Sequence, residues 1–195
     1  MKRNIFGIIG LLGSGKSEVL KIVKDLGFTT INSDTVVKDL YLEGNPGWQK
    51  IVNFFGDEYL DKKGNINKNK LRNEVLKNPN KLRILNKLIH PLVINEFSKI
   101  INKYPKNETI FIEIPVFNKK LLSSIISKTI EVKVDPKKTI RRIKKSRENP
   151  EDYKKLLSIQ KKSFKFKPDY VIDNNRCRTE LKRTTKKLLK KLKLI

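Results

Sequence analysis

Eight consecutive residues near the start, Gly10-Leu11-Leu12-Gly13-Ser14-Gly15-Lys16-Ser17, place glycines, a lysine and a hydroxyl at the spacing G-x-x-x-x-G-K-[ST]. Glycines let the chain wrap tightly, so that successive backbone N–H groups converge on an anion. A helix beginning at the lysine adds its positive end. The spacing therefore predicts a phosphate-binding loop, formed by Gly10, Leu12, Gly13, Ser14, Gly15, Lys16 and Ser17, which by itself leaves open a kinase, a GTPase or a motor ATPase. Lys16 reaches the β- and γ-phosphates in this reading, and the Ser17 hydroxyl holds Mg2+. A second residue of interest is Asp34. A carboxylate there is either the base that takes the proton of an attacking hydroxyl or the N-cap of a helix.

A loop of this kind works only between a buried strand and a helix. The apolar run Asn4 to Ile9 predicts the strand, and Lys16 to Leu26, closed by Gly27, predicts the helix. Phe28 to Asn32 reads as a second strand, with Ser33 or Asp34 capping the helix after it. From Gly44 to Lys103 the pattern is helical, broken by turns at Asn45-Pro46-Gly47, Lys63-Gly64-Asn65 and Asn78-Pro79. Strands resume at Thr109 to Ile114, Thr129 to Val134 and Asp169 to Ile172, with a basic helix opening at Pro136 between the last two. A final helix, roughly Arg178 to Leu194, carries Leu181, Leu188, Leu189 and Leu192 on one face. Alternating strands and helices predict an α/β chain: a three-layer P-loop NTPase fold with about five parallel strands, a helical insertion and a lid. The nucleotide core is expected over about 1–34 and 106–195, the insertion over about 35–105 and the lid over about 142–168.

The net charge of +25 in 195 residues raises a nucleic-acid-binding ATP switch as an alternative to a kinase. The lysines are spread along the chain rather than clustered with arginine and aromatics, so no nucleic-acid partner is expected. A basic cleft also attracts polyanionic small molecules. Cys177 is the only cysteine, which excludes an internal disulfide and fits a reducing cytoplasm. The longest apolar runs fall short of the roughly 20 residues that cross a bilayer. Met1-Lys2-Arg3 and the apolar run after it lead into the phosphate loop with no small-residue cleavage site, so they read as strand and not as a secretion signal. The expectation is a cytoplasmic monomer or weak homo-oligomer. A phosphate loop alone also admits a kinase of nucleosides or nucleotides.

The order and spacing of Gly10 to Ser17, Ile31-Asn32-Ser33-Asp34, Leu71-Arg72, Asn78-Pro79, Leu85-Asn86, Leu88-Ile89-His90-Pro91, Pro115, Asp135-Pro136, Gln160 and Asp169-Tyr170-Val171-Ile172-Asp173-Asn174 resemble the dephospho-CoA kinase family over nearly the whole chain. The resemblance implies transfer of the ATP γ-phosphate to the 3′-hydroxyl of dephospho-CoA, giving CoA and ADP. It implies Asp34 as catalytic base, Arg72, His90 and Pro91 on the substrate side, and lid arginines that close over the phosphoryl group. Arg141, Arg142 and Arg147 lie in the lid segment, and Arg147 is assigned the catalytic role with a short shift in spacing. Glu113, two residues before Pro115, either supports Mg2+ or is a solvated strand-end acid.

The chain departs from the family pattern in places. Leu11 replaces a usual Gly and Asn32 a common Asp, while Val116-Phe117-Asn118-Lys119 replaces a Leu-Leu-aromatic-Glu run. Leu156 stands four residues before Gln160, where an arginine is expected. Lys155 or Lys161 is the nearest substitute cation.

Overall fold

The computed structural model describes residues 3–114, 123–139, 150–163 and 167–195. Five short apolar runs form strands: β1 (Asn4–Ile9), β2 (Thr29–Asn32), β3 (Thr109–Glu113), β4 (Lys128–Lys133) and β5 (Tyr170–Asp173). They make one sheet in the order β2-β3-β1-β4-β5, and every pairing is parallel. Parallel strands are covered on both faces, which is why β1 reads as an unbroken apolar run with five of its six residues buried. The shared direction brings the C-terminal ends of all five strands to one edge, where ligands bind in such sheets. Ile8 of β1 and Asn32 of β2 both register with Glu113 of β3.

Helix α1 (Lys16–Asp25) follows the loop after β1. Its Val19, Leu20, Ile22 and Val23 join Phe6, Ile8, Phe111, Ile130, Val132 and Ile172 of the sheet in one core. The Phe6 and Phe111 rings stack with centroids 5.0 Å apart, which locks β1 against β3. The last helix of the chain (Arg178–Lys191) adds Leu181 and Leu189 to the same core, with Leu188 and Leu192 packed beside them. The Leu face anticipated from the sequence is thus spent on packing. Among the described residues no helix is long and apolar enough to cross a membrane.

The chain divides into two compact units, one of Met1–Asn32 with Tyr104–Ile195 and one of Ser33–Lys103. The second is helical: α2 (Ser33–Leu40), α3 (Pro46–Phe55), α4 (Lys68–Lys77) and α5 (Pro79–Asn102), with α5 packed against the other three. Side-chain caps fix two of these starts. Asn67 accepts from the Lys70 N–H at the head of α4, and Asn78 accepts from the Asn80 and Lys81 N–H groups at the head of α5. The cap anticipated at Ser33 is not made. Helix α2 begins at Ser33 itself, whose hydroxyl is buried without a hydrogen-bond partner. In the first unit, α6 (Pro150–Ser163) starts at the polar break around Pro150. The final helix is α7.

Candidate active site

The loop between β1 and α1 has the backbone that its glycines allow. Gly10 and Gly15 have φ of +151° and +97°, in the region that side chains disfavour. Space enforces the same choice. A Cβ on Gly15 would lie 2.2 Å from Asn174 Nδ2, and one on Gly10 would lie 2.6 Å from the Val132 carbonyl. Asn174, just past β5, accounts for the first contact: its Nδ2 donates to the Ser14 carbonyl at 2.7 Å, while its backbone N–H donates to the Lys133 carbonyl at 2.7 Å. One side chain thus ties the phosphate loop to the ends of β4 and β5.

Lys16, only 6% exposed, folds its ammonium back onto the loop and donates to the Gly10 and Leu11 carbonyls at 3.1 and 3.2 Å. Ser17 donates from its hydroxyl to Glu113 Oε1 at 2.8 Å, and Asn32 Nδ2 donates to Oε2 at 3.3 Å. Glu113 is therefore a buried acid, 4% exposed, bonded to the loop's last residue, and not a solvated strand end. A hydroxyl whose proton is turned to a carboxylate keeps its lone pairs for a hard cation, so the pair fits Mg2+, which is held by few protein oxygens and by phosphate. Among the described residues no group of three His, Cys, Asp or Glu gathers to hold a metal by itself.

On another side of the loop, Gln160 of α6 accepts from the Leu12 N–H at 2.8 Å, and Leu157, one turn earlier, packs on Leu11 and Leu12. Leu11, at a position where the family favours glycine, finds an apolar partner there. A cleft of about 350 Å³ opens from the loop, lined by Leu11 and Ser14, by the end of β4, and by Thr139, Leu157 and Asn175. That volume lies in the range of small-molecule sites. Its far wall is stiffened by side-chain bonds. The Asp135 N–H donates to Asn175 Oδ1 at 2.7 Å, and Asn175 donates twice to Asp173. Those bonds hold the Asp173 carboxyl below its usual range.

The residues expected on the substrate side stand in the helical unit. Asp34 is the second residue of α2. Lys68, the first residue of α4, lies within its electrostatic reach. Burial lowers the Lys68 pKa and the Asp34 charge opposes that shift, while the ammonium stands 5.5 Å from the Tyr41 ring centroid. Burial pushes the Tyr41 hydroxyl up to about 12. Arg72 follows Lys68 one turn along α4, on the same helix face. His90 and Pro91 lie within α5. Burial lowers the His90 pKa. Lys68 was not foreseen, because a lone lysine in so basic a chain carries no signal of its own; its place at the start of a helix after Asn67 was the available clue. Arg141, Arg142 and Arg147 lie outside the described residues, as do Pro115 to Lys119.

Residues 4–180 match the family model described as dephospho-CoA kinase. A dephospho-CoA kinase of Leptospira interrogans is 32% identical over 178 residues, covering 89% of this chain and 85% of the relative. Among solved structures, a Thermus thermophilus protein, TT1252, superposes with a TM-score of 0.75 at 22% identity, covering 98% of this chain and 99% of its own. A dephospho-CoA kinase from Campylobacter jejuni does so with a TM-score of 0.63 at 24% identity, covering 97% of each chain. A shikimate kinase from Bacteroides thetaiotaomicron shares the sheet at a TM-score of 0.58, consistent with the P-loop NTPase fold. With a family match over most of its length and a phosphate loop of the geometry described above, the chain belongs to the dephospho-CoA kinase family.

Proposed function

We propose that this chain transfers the γ-phosphate of ATP to the 3′-hydroxyl of dephospho-CoA, releasing CoA and ADP as the final step of CoA biosynthesis. The observation that carries this reading is the loop itself: glycine-dependent backbone between β1 and α1, a buried Lys16, and a Ser17 hydroxyl bonded to a buried carboxylate. The family match supplies the acceptor.

Residues from Gly10 to Ser17 bind the polyphosphate through backbone N–H groups. Lys16 exchanges its carbonyl partners for β- and γ-phosphate oxygens, which in the water-poor loop are the stronger acceptors. Ser17, with Glu113 behind it, would hold Mg2+; when bound, that ion offsets phosphate charge. The cleft beside Ser14 takes the nucleoside of ATP. Asp34 accepts the proton of the 3′-hydroxyl as the new oxygen–phosphorus bond forms and the bond to ADP breaks. Lys68 positions Asp34 by supplying a cation beside it. Arg72, His90 and Pro91 belong to the dephospho-CoA side, and Arg147 is assigned to the charge that develops on the phosphoryl group. Lys155 or Lys161 would stand in for the arginine that Leu156 lacks, as a point charge without a guanidinium's paired donors. The insertion over about 35–105 and the lid over about 142–168 divide substrate recognition from closure in this reading. The protein acts in the cytoplasm as a monomer or weak homo-oligomer, with neither a membrane nor a nucleic acid as partner.

The test is a coupled assay of the purified chain with ATP and Mg2+, offering dephospho-CoA, adenosine and AMP as acceptors. CoA formed from dephospho-CoA alone is the expected outcome. Phosphorylation of adenosine or AMP instead would retain the kinase and replace the acceptor. ATP hydrolysis raised by added DNA or RNA would favour a nucleic-acid switch.

A further inference from the structure

Glu131 sits in β4 between Ile130 and Val132, whose side chains enter the sheet core with α1 and α7. Alternation along the strand sends Glu131 to the opposite face, where it lines the cleft with Leu11 and Leu157. It is 8% exposed, and no described residue gives it a hydrogen bond. Among the described residues its charged neighbour is Lys133, at 3.9 Å, whose own side chain is 61% exposed. Burial pushes the Glu131 carboxyl up in pKa, and the Lys133 charge opposes this. A carboxylate whose side chain is only 11% exposed ordinarily has donors. Glu113, the comparable acid at the end of β3, has two.

We infer that Glu131 is a specificity residue for the nucleotide, accepting a hydrogen bond from the exocyclic 6-amino group of the base in the cleft. This rests on the reading that the cleft takes the nucleoside of ATP. The rest of the wall explains why one acceptor decides so much. Leu11, Val134, Pro136 and Leu157 offer a flat aromatic ring apolar contact, while Glu131 brings an acceptor able to read an amine. A base lacking that amine leaves the carboxylate without its donor, and a site built around a hydrogen bond rejects an analogue that cannot make it.

The test uses the full chain and two nucleotides, ATP and purine riboside triphosphate, which differs from ATP only by the missing 6-amino group. Dissociation constants come from calorimetry and CoA formation from the coupled assay. The unaltered chain is expected to bind ATP at least about tenfold more tightly than the analogue, the scale of one buried hydrogen bond to a charged group. Glu131→Leu should reduce that ratio to within about twofold. Glu131→Gln, which keeps the shape and one acceptor oxygen, should leave an intermediate ratio and serves as the check if the Leu variant folds poorly. Equal binding of both nucleotides by the unaltered chain, or an undiminished ratio in Glu131→Leu or Glu131→Gln, would overturn the assignment while CoA formation continued. A chain that formed no CoA with ATP would overturn the functional reading and, with it, the assignment.

Discussion

The phosphate loop and the helical unit set their candidate residues by opposite means. In the loop, the backbone is the instrument: Gly10 and Gly15 hold φ values that other residues resist, and Asn174 leaves no room for a Cβ at Gly15. In the helical unit the instrument is individual side chains. Asp34 and Lys68 are set on the first turns of α2 and α4 by ordinary helix starts and Arg72 one turn on, with no unusual backbone at any of them. A site made of backbone dictates residue types over a continuous stretch, whereas a site made of side chains dictates only points.

The contrast is tested most sharply by removing one charge from each side. Lys16→Ala and Asp34→Asn are each expected to lower the turnover of dephospho-CoA by at least about a hundredfold, as lost charge stabilisation or a lost base does. Near-normal turnover in Asp34→Asn, beside a dead Lys16→Ala, would leave the helical unit a binding role and remove the base assignment. Next in size is Gly15→Ala, which strains a φ of +97° by roughly 1–3 kcal/mol and presses on Asn174. ATP affinity by calorimetry should fall about tenfold or more, and the double variant with Asn174→Ala should recover the steric part only. Full recovery would show that crowding, and not backbone strain, governs the loop.

A smaller effect is expected at Glu113, where the loop does depend on a side chain. Glu113→Gln should raise the Mg2+ concentration for half-maximal activity by about tenfold, the usual scale for a residue that orients a metal-binding group. An unchanged requirement would sever Ser17 from its supporting acid. The smallest effect belongs to His90. Its pKa is lower in the folded chain than in the unfolded one, so the unfolded state binds more protons in the interval below about 6.5. Stability is fully present above that value and is lost as pH falls through the interval toward the folded pKa. Denaturant titrations across pH 5 to 7.5 should show this loss, and His90→Gln should reduce it. An equal loss in the variant would assign the slope to other groups.

The same contrast explains what could be read in advance. The strands, α1 and the phosphate loop were legible because buried parallel strands and glycine turns impose a pattern on consecutive residues, and β1 and α7 end within a few residues of where their apolar patterns do. Asp34 was half legible: on spacing it was as good a cap as a base, and only the family resemblance separated the two. Lys68 and Glu131 were not legible at all. A lysine among so many lysines and a glutamate inside a strand acquire meaning only when the fold brings Asp34 within reach of one and the cleft against the other. Glu113 was legible as two alternatives, a Mg2+-supporting acid or a solvated strand end, and only its burial beside Ser17 in the fold excludes the second.

The bond from Asn174 to the Ser14 carbonyl joins positions 160 residues apart, and Arg178 is paired with Glu18 across the same interval. During synthesis the amino-terminal loop therefore emerges long before the residues that brace it, by about ten seconds or more at the usual pace of translation. A nascent chain ending before β5 has the complete phosphate motif but lacks the Asn174 and Arg178 braces. The loop encoded in the first tenth of the sequence therefore gains these braces only when Asn174 and Arg178, some 160 residues later, have been made.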